Sequence, residues 1–205
     1  MKKTPVKKPA RKSEATASAA TAPAATPKVK VATMWLSGCS GCHMSLLDID
    51  ERILELAKHV DILFSPIVDI KIEDMPKVDV AIVEGCVNNT DQEHELKMLR
   101  ERAKVLIALG DCAVTGNVPS LRNQFTARDC LSRAYEQTES TQIACIPNDP
   151  VVPKLLPRAH PLQEIVKVDL HIPGCPPDAD TIWYALTELL AGRIPQFHEK
   201  NMRYD

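Results

Sequence analysis

The sequence predicts an α/β domain with a doubly wound parallel sheet, and three observations carry that expectation. The stretches VDVAIVEG (78–85) and KVLIALGDC (104–112) hold short, continuous apolar runs, the character of strands buried on both faces. Such runs alternate with stretches of helical character, the order that βαβ crossovers require. Aromatic residues make up only 4% of the 205 residues, so the core must be built from Val, Ile, Leu and Ala, as parallel sheets usually are.

In chain order, an apolar run from Val31 ends in a Gly/Ser loop within VATMWLSGCSGCH (31–43). Leu46, Ile49, Ile53, Leu56, Ala57 and Val60 then fall at three- and four-residue steps, one face of a single expected helix. VDILFSPIV (60–68) reads as a second strand, and residues 71–77 as a polar connection containing Pro76. DQEHELKMLRERA (91–103) reads as a helix, with acidic residues early and arginines late to match the helix dipole. One or two less regular helices are expected in 119–140, and the Pro-rich segment 141–163 reads as a long loop. EIVKVDLHIPGC (164–175) supplies a last strand and DADTIWYALTELLAG (178–192) a last helix. The expected organisation is a disordered basic tail over 1–29, one domain over 30–192 and a short C-terminal tail over 193–205.

Composition narrows the function. The net charge of −2 hides a split, because residues 1–30 carry eight Lys/Arg and one Glu while residues 31–205 are net acidic. The basic segment is rich in Ala, Pro, Thr and Ser and holds no apolar cluster, so it cannot offset its own ordering entropy. It has neither the apolar region nor the twin-arginine pair of an export signal. The acidic body shows no basic, aromatic-interleaved surface, which argues against nucleic acid as a partner. No run approaches the roughly 20 apolar residues of a membrane span. A cytoplasmic, reducing setting is expected, where seven cysteines serve metal ligation or redox catalysis more than structural disulfides.

Cys39 and Cys42 form a C-x-x-C pair where a strand hands over to a helix N-terminus, a place with free backbone N–H groups that favours thiolates and anions. Two chemistries use that placement: dithiol–disulfide exchange of the thioredoxin type, and ligation of a metal or iron–sulfur group. Ligands in doubly wound sheets bind at the carboxyl ends of the strands. Cys39, Cys86, Cys112 and Cys175 each lie just past such an end, whereas Cys130 falls in a helical stretch and Cys145 in the Pro-rich loop. Four cysteine-bearing loops exceed what a dithiol needs. They suit four thiolates, Cys39 and Cys42 with two of Cys86, Cys112 and Cys175. Zinc accepts four thiolates too, but structural zinc usually serves small, core-poor domains. Gly38, Gly41, Gly110 and Gly174, beside these cysteines, allow close backbone approach and N–H bonds to sulfide, which favours a 4Fe–4S cluster.

The motifs WLSGCSGC, VEGCV, GDCAVTGN and IPGCPPD, spread from Val31 to Ile194, together resemble the small subunit of nickel–iron hydrogenases and the homologous subunit of respiratory complex I. The resemblance implies a flavodoxin-like domain with one 4Fe–4S cluster at the strand ends, held by Cys39, Cys42, Cys112 and Cys175. Cys86 stands where relatives often have Ser. The complex I subunit has adjacent cysteines where this chain has C-x-x-C. Periplasmic hydrogenase small subunits carry a twin-arginine leader and a second cluster domain, and neither pattern occurs here. The resemblance is therefore strongest to cytoplasmic, bidirectional NAD-reducing hydrogenases.

That resemblance implies a chain with no catalytic residues of its own, which relays electrons from the nickel–iron centre of a partner large subunit towards NAD⁺. It also implies diaphorase subunits with flavin and further clusters as partners, and an obligate complex with a large apolar interface. Some members are thought to bind FMN on this subunit; the sequence holds no separate FMN fingerprint. Glu84 ends a buried strand beside the expected cluster, where an acid needs a partner. It is expected to order the interface or to belong to a proton route from the nickel centre.

Overall fold

The computed structural model describes residues 27–66 and 70–198. The basic segment up to residue 26 and the end of the C-terminal tail, for which a tail was expected at either end, lie outside the described residues. Strand β1 (Val29–Trp35) leads into two short helices, α1 (Gly41–Leu47) and α2 (Arg52–His59), and then β2 (Val60–Phe64). After β3 (Val78–Glu84) come the short β4 (Val87–Asn89), helix α3 (Thr90–Arg102) and β5 (Ala103–Leu109). Three helices follow, α4 (Asp111–Thr115), α5 (Asn117–Ser120) and α6 (Ala127–Tyr135), then β6 (Leu155–His160), β7 (Leu170–Ile172) and α7 (Ala179–Leu190).

Five strands form one all-parallel sheet in the order β2-β1-β3-β5-β7, the flavodoxin-like arrangement. Strand order reverses between β1 and β3, so the ligand crevice expected of such sheets lies beyond their carboxyl ends. The sheet is covered on both sides. One face packs Ala32, Met34, Val83, Leu106 and Ala108 against Leu96 and Leu99 of α3. The other packs Val31, Ile82, Ile107 and Ile172 against Ile182 and Ala185 of α7. Successive strand residues therefore go to opposite cores, and this is why the strands read as unbroken apolar runs.

Three elements differ from expectation. The single helix anticipated after the C-x-x-C loop is broken at Asp48–Glu51, where Asp50 takes a left-handed conformation (φ 54°) that Asp tolerates better than most residues. Ile49 and Leu56 are buried, but Ile53 and Ala57 are exposed, and Val60 opens β2 instead of closing the helix. The segment 141–163 is not all loop. Its residues Leu155–His160 pair antiparallel with β4 in a two-stranded ribbon, where Pro157, which lacks a donor, is tolerated. The last strand is only three residues long. Ahead of it, the Asp169 N–H bonds the Leu106 carbonyl (2.9 Å), and the Asp169 carboxylate accepts the Leu106 N–H (2.9 Å).

Asp169 also pairs with Arg100 at 2.6 Å. Partial burial pushes its pKa up, but the Leu106 N–H and the Arg100 guanidinium prevail and hold it below the usual carboxylate value. Asp169→Ala leaves the N–H of fully buried Leu106 without an acceptor, and is expected to lower stability by about 1–3 kcal/mol in denaturant unfolding. The sign with pH follows from a depressed pKa. The carboxylate's contribution is complete above the unfolded Asp value of about 3.9 and fades as pH falls below it.

Candidate metal centre

Backbone hydrogen bonds join the loops at the carboxyl ends of the strands in pairs. After β1, the Leu36 N–H donates to the Glu84 carbonyl (2.9 Å), and Ser37 and Cys86 exchange N–H···O bonds (3.0 and 2.9 Å) across the β3 loop. Gly85 at φ 82° makes this approach possible, because a Cβ there would fall 2.9 Å from Ser37 O. After β5, the Gly110 N–H donates to Ile172 O (2.7 Å) and the Asp111 N–H to Gly174 O (2.8 Å), while Asp111 Oδ1 accepts the Gly174 N–H (2.8 Å). The buried Ser45 hydroxyl of α1 donates to Pro177 O, linking the first loop to the last.

This stitching gathers the thiols. Cys42 sits in the first turn of α1 and Cys112 in the first turn of α4, whereas Cys39 and Cys175 lie exposed in the loops after β1 and β7. Cys39, Cys112 and Cys175 all act electrostatically on Cys42, so the four groups share one neighbourhood. Gly110 is the tightest element, since a Cβ there would lie 2.2 Å from Cys42 Sγ. A Cβ on Gly41 would lie 3.1 Å from Cys39 Sγ. Gly174 (φ 135°) faces Pro177, and Gly38 faces Gly85.

The electrostatics are those of a site short of positive charge. Burial pushes the Cys42 thiol far up, and Glu84, Cys112, Cys39 and Cys175 push it further. Cys112 is raised by burial and then by Cys175, Cys39 and Glu84, against a hydrogen bond from the backbone N–H of Val118. The helix-start position was expected to favour thiolates. For Cys42, burial and then neighbouring acidic groups push the thiol up at that position. Dithiol exchange wants a lowered thiol pKa; a metal group supplies the missing positive charge and takes up thiolates as it binds. Among the described residues no three His, Cys, Asp or Glu side chains converge as ligands of a single ion must.

The structure separates the remaining cysteines. Cys86 is fully buried beside Cys112, its thiol pushed up to about 12 by burial and by Cys112. Cys130 lies half-buried in α6, and Cys145 is exposed in the segment before β6. Glu84 is 2% exposed at the end of β3, and its Oε2 accepts the backbone N–H of His43 (2.7 Å). His43 Nδ1 stands 3.0 Å from the same oxygen, and the ring packs edge-on against Trp35 at 5.7 Å. Sequence patterns do not single out His43; its one signal is its place directly after Cys42. Asn117 is also missed by them although it lies within the GDCAVTGN motif; its Nδ2 is 3.3 Å from Cys175 Sγ.

Fold and site together define a flavodoxin-like domain with a thiol constellation at its topological switch point. Residues 39–189 match the family described as NADH ubiquinone oxidoreductase, 20 Kd subunit. The delta subunit of the NAD-reducing hydrogenase HoxS of Cupriavidus necator is 40% identical over 181 residues, covering 87% of this chain and 86% of that one. A subunit of the F420-non-reducing hydrogenase of Methanothermobacter thermautotrophicus is 40% identical over 178 residues, 85% of this chain. The chain spans 58% of that relative's length. A chain in the crystal structure of an NAD⁺-reducing NiFe-hydrogenase in the H2-reduced state superposes with a TM-score of 0.83 at 43% identity, covering 87% of this chain and all of that one. The chain belongs to the NADH ubiquinone oxidoreductase 20 Kd subunit family, and these relatives set it beside the hydrogenase subunits within it.

In the metal-free chain Cys86 stays protonated up to about pH 12. Between the ordinary thiol value of about 8.5 and that limit, the unfolded chain ionises and the folded one does not. Stability contributed by Cys86 is therefore complete below about pH 8.5 and is lost as pH rises towards 12. Alkylation followed by mass spectrometry at pH 9 is expected to label Cys39 and Cys175 well before Cys86 and Cys42.

Proposed function

We propose that this chain is the electron-transfer small subunit of an NAD-reducing nickel–iron hydrogenase of the cytoplasm. It works between a large subunit carrying the nickel–iron centre and diaphorase subunits with flavin and further iron–sulfur clusters. The observation that carries the reading is the gathering of Cys39, Cys42, Cys112 and Cys175 on loops stitched together at the switch point, in a chain so similar to NAD-reducing hydrogenase subunits. Among the described residues no helix is long and apolar enough to cross a membrane.

The four cysteines would hold one 4Fe–4S cluster, and Gly38, Gly41, Gly110 and Gly174 would keep side chains out of its way. When bound, such a cluster supplies reversible one-electron transfer. The chain's own residues bind and orient it. Gly110 lets the β5 loop close over Cys42, and the Asp111–Gly174 pairing sets the loops that carry Cys112 and Cys175 side by side. Two of the four thiols are exposed, and Trp35 at the end of β1 and Met44, Val118 and Leu121 beyond the strand ends are exposed too. Apolar surface of this kind supports a protein partner covering that edge.

Glu84, accepting the His43 N–H, braces the end of β3 to the turn that carries Cys42, a role within the chain and distinct from the interface and proton-route roles expected of it. Glu84→Gln keeps an acceptor for that N–H and is expected to retain iron and fold. Glu84→Ala removes it and is expected to cost about 2 kcal/mol in thermal or denaturant unfolding.

The assembled complex tests the function. Cys112→Ser and Cys175→Ser are each expected to lower its iron content and abolish H2-dependent NAD⁺ reduction while NADH-dependent dye reduction persists. Cys86→Ser, Cys130→Ser and Cys145→Ser are expected to retain both activities. Full H2-dependent turnover in the Cys112 and Cys175 variants would contradict the reading, and loss of iron with Cys86→Ser would overturn the ligand assignment.

A further inference from the structure

Gly116 joins α4 to α5, and with Asn117 and Val118, the first residues of α5, it makes a turn of unusual backbone. Gly116 lies at φ 88° and Asn117 at φ 33°, two successive residues in the left-handed region. Asn is among the few side-chain-bearing residues that enter that region readily. The turn also faces sulfur twice. Asn117 Nδ2 is 3.3 Å from Cys175 Sγ, and the backbone N–H of Val118 hydrogen-bonds to Cys112. One three-residue turn therefore supplies N–H donors to thiols on two different loops, those following β5 and β7. The assignment of the amide follows from chemistry. A ligating Cys175 would be a thiolate with no proton to give, so only the NH2 end of Asn117 could bond to it, with the oxygen pointing away.

We infer that Asn117 is a positioning residue that sets the reduction potential of the iron–sulfur group through Cys175. The inference rests on the reading above that Cys175 is a ligand. Reduction adds one negative charge, which spreads over the cluster and its thiolate sulfurs. An N–H dipole aimed at one of those sulfurs favours the more negative state, so the bond raises the potential. Glu84, buried at the end of β3, lies on the other side of the cluster of thiols, beside Cys42 and Cys112.

Two substitutions separate tuning from turn-making. Asn117→Gly keeps the left-handed backbone and removes the donor. Asn117→Asp keeps shape and conformational tolerance but presents a negative acceptor to the sulfur. The measurement is an EPR-monitored redox titration of the assembled complex under anaerobic conditions, with iron analysis alongside. The small-subunit signal is identified by its disappearance in Cys175→Ser. The Gly variant is expected to shift the midpoint to lower potential and the Asp variant further in the same direction, with iron content unchanged. A residue needed only for the turn would be rescued by Gly, so an unshifted midpoint in both variants would overturn the inference. If the Gly variant alone loses iron, the Asp variant decides by the same criterion. Loss of iron from both overturns the tuning role in favour of a structural one. A wild-type complex with no signal dependent on Cys175 would overturn the ligand reading itself, an outcome distinct from an unshifted signal.

Discussion

Cys42 and Cys112 must be held beside the exposed Cys39 and Cys175 at the carboxyl ends of the strands, where burial and like charge push the first two thiols up. The rest of the architecture serves that constraint. Cys42 and Cys112 carry thiols raised by burial first and by neighbouring cysteines and Glu84 next. The stitching of the β1 loop to the β3 loop, and of the β5 loop to the β7 loop, holds them there through backbone hydrogen bonds. Such a site is prepared for a cationic group that exchanges thiol protons for metal–sulfur bonds. It is poorly suited to a reactive dithiol, whose thiolate must exist before its substrate arrives.

The sheet explains why these loops meet. With strand order β2-β1-β3-β5-β7, the helices that follow β1 and β3 pack on opposite faces of the sheet, while the loops at their starts stay side by side with those after β5 and β7. Cys39 and Cys42, Glu84 and Cys86, Cys112, and Cys175 come from these four loops in turn. Residues distant in sequence converge because each strand points the same way, not because any local motif encloses a ligand. Local detail then decides fit. Only a residue without Cβ at position 110 leaves room for Cys42 Sγ.

The central strands are legible in the sequence because both of their faces are buried, which gives unbroken apolar runs in β3 and β5. The helix after the C-x-x-C loop reads too long, because the apolar steps at Ile49, Ile53 and Leu56 continue across a break made by Asp48 and Asp50. Leu54, 68% exposed, shows how little of that apolar content goes into the core. β6 is invisible because its partner β4 is three residues long and Pro157 interrupts the strand pattern. The cysteines stand out by chemistry and by their positions after strands. His43 and Asn117 do not, since a lone histidine or asparagine at the start of a short helix carries no pattern of its own; only folding places them against Glu84 and Cys175.

The central claim is that the four gathered thiols hold an iron–sulfur cluster, and its most direct measurement is iron and acid-labile sulfide content per chain in anaerobically prepared protein. The account predicts close to four of each per small subunit, accompanied by a brown chromophore. Colourless protein without iron or sulfide, with Cys39 and Cys42 instead cycling between dithiol and disulfide, would contradict it.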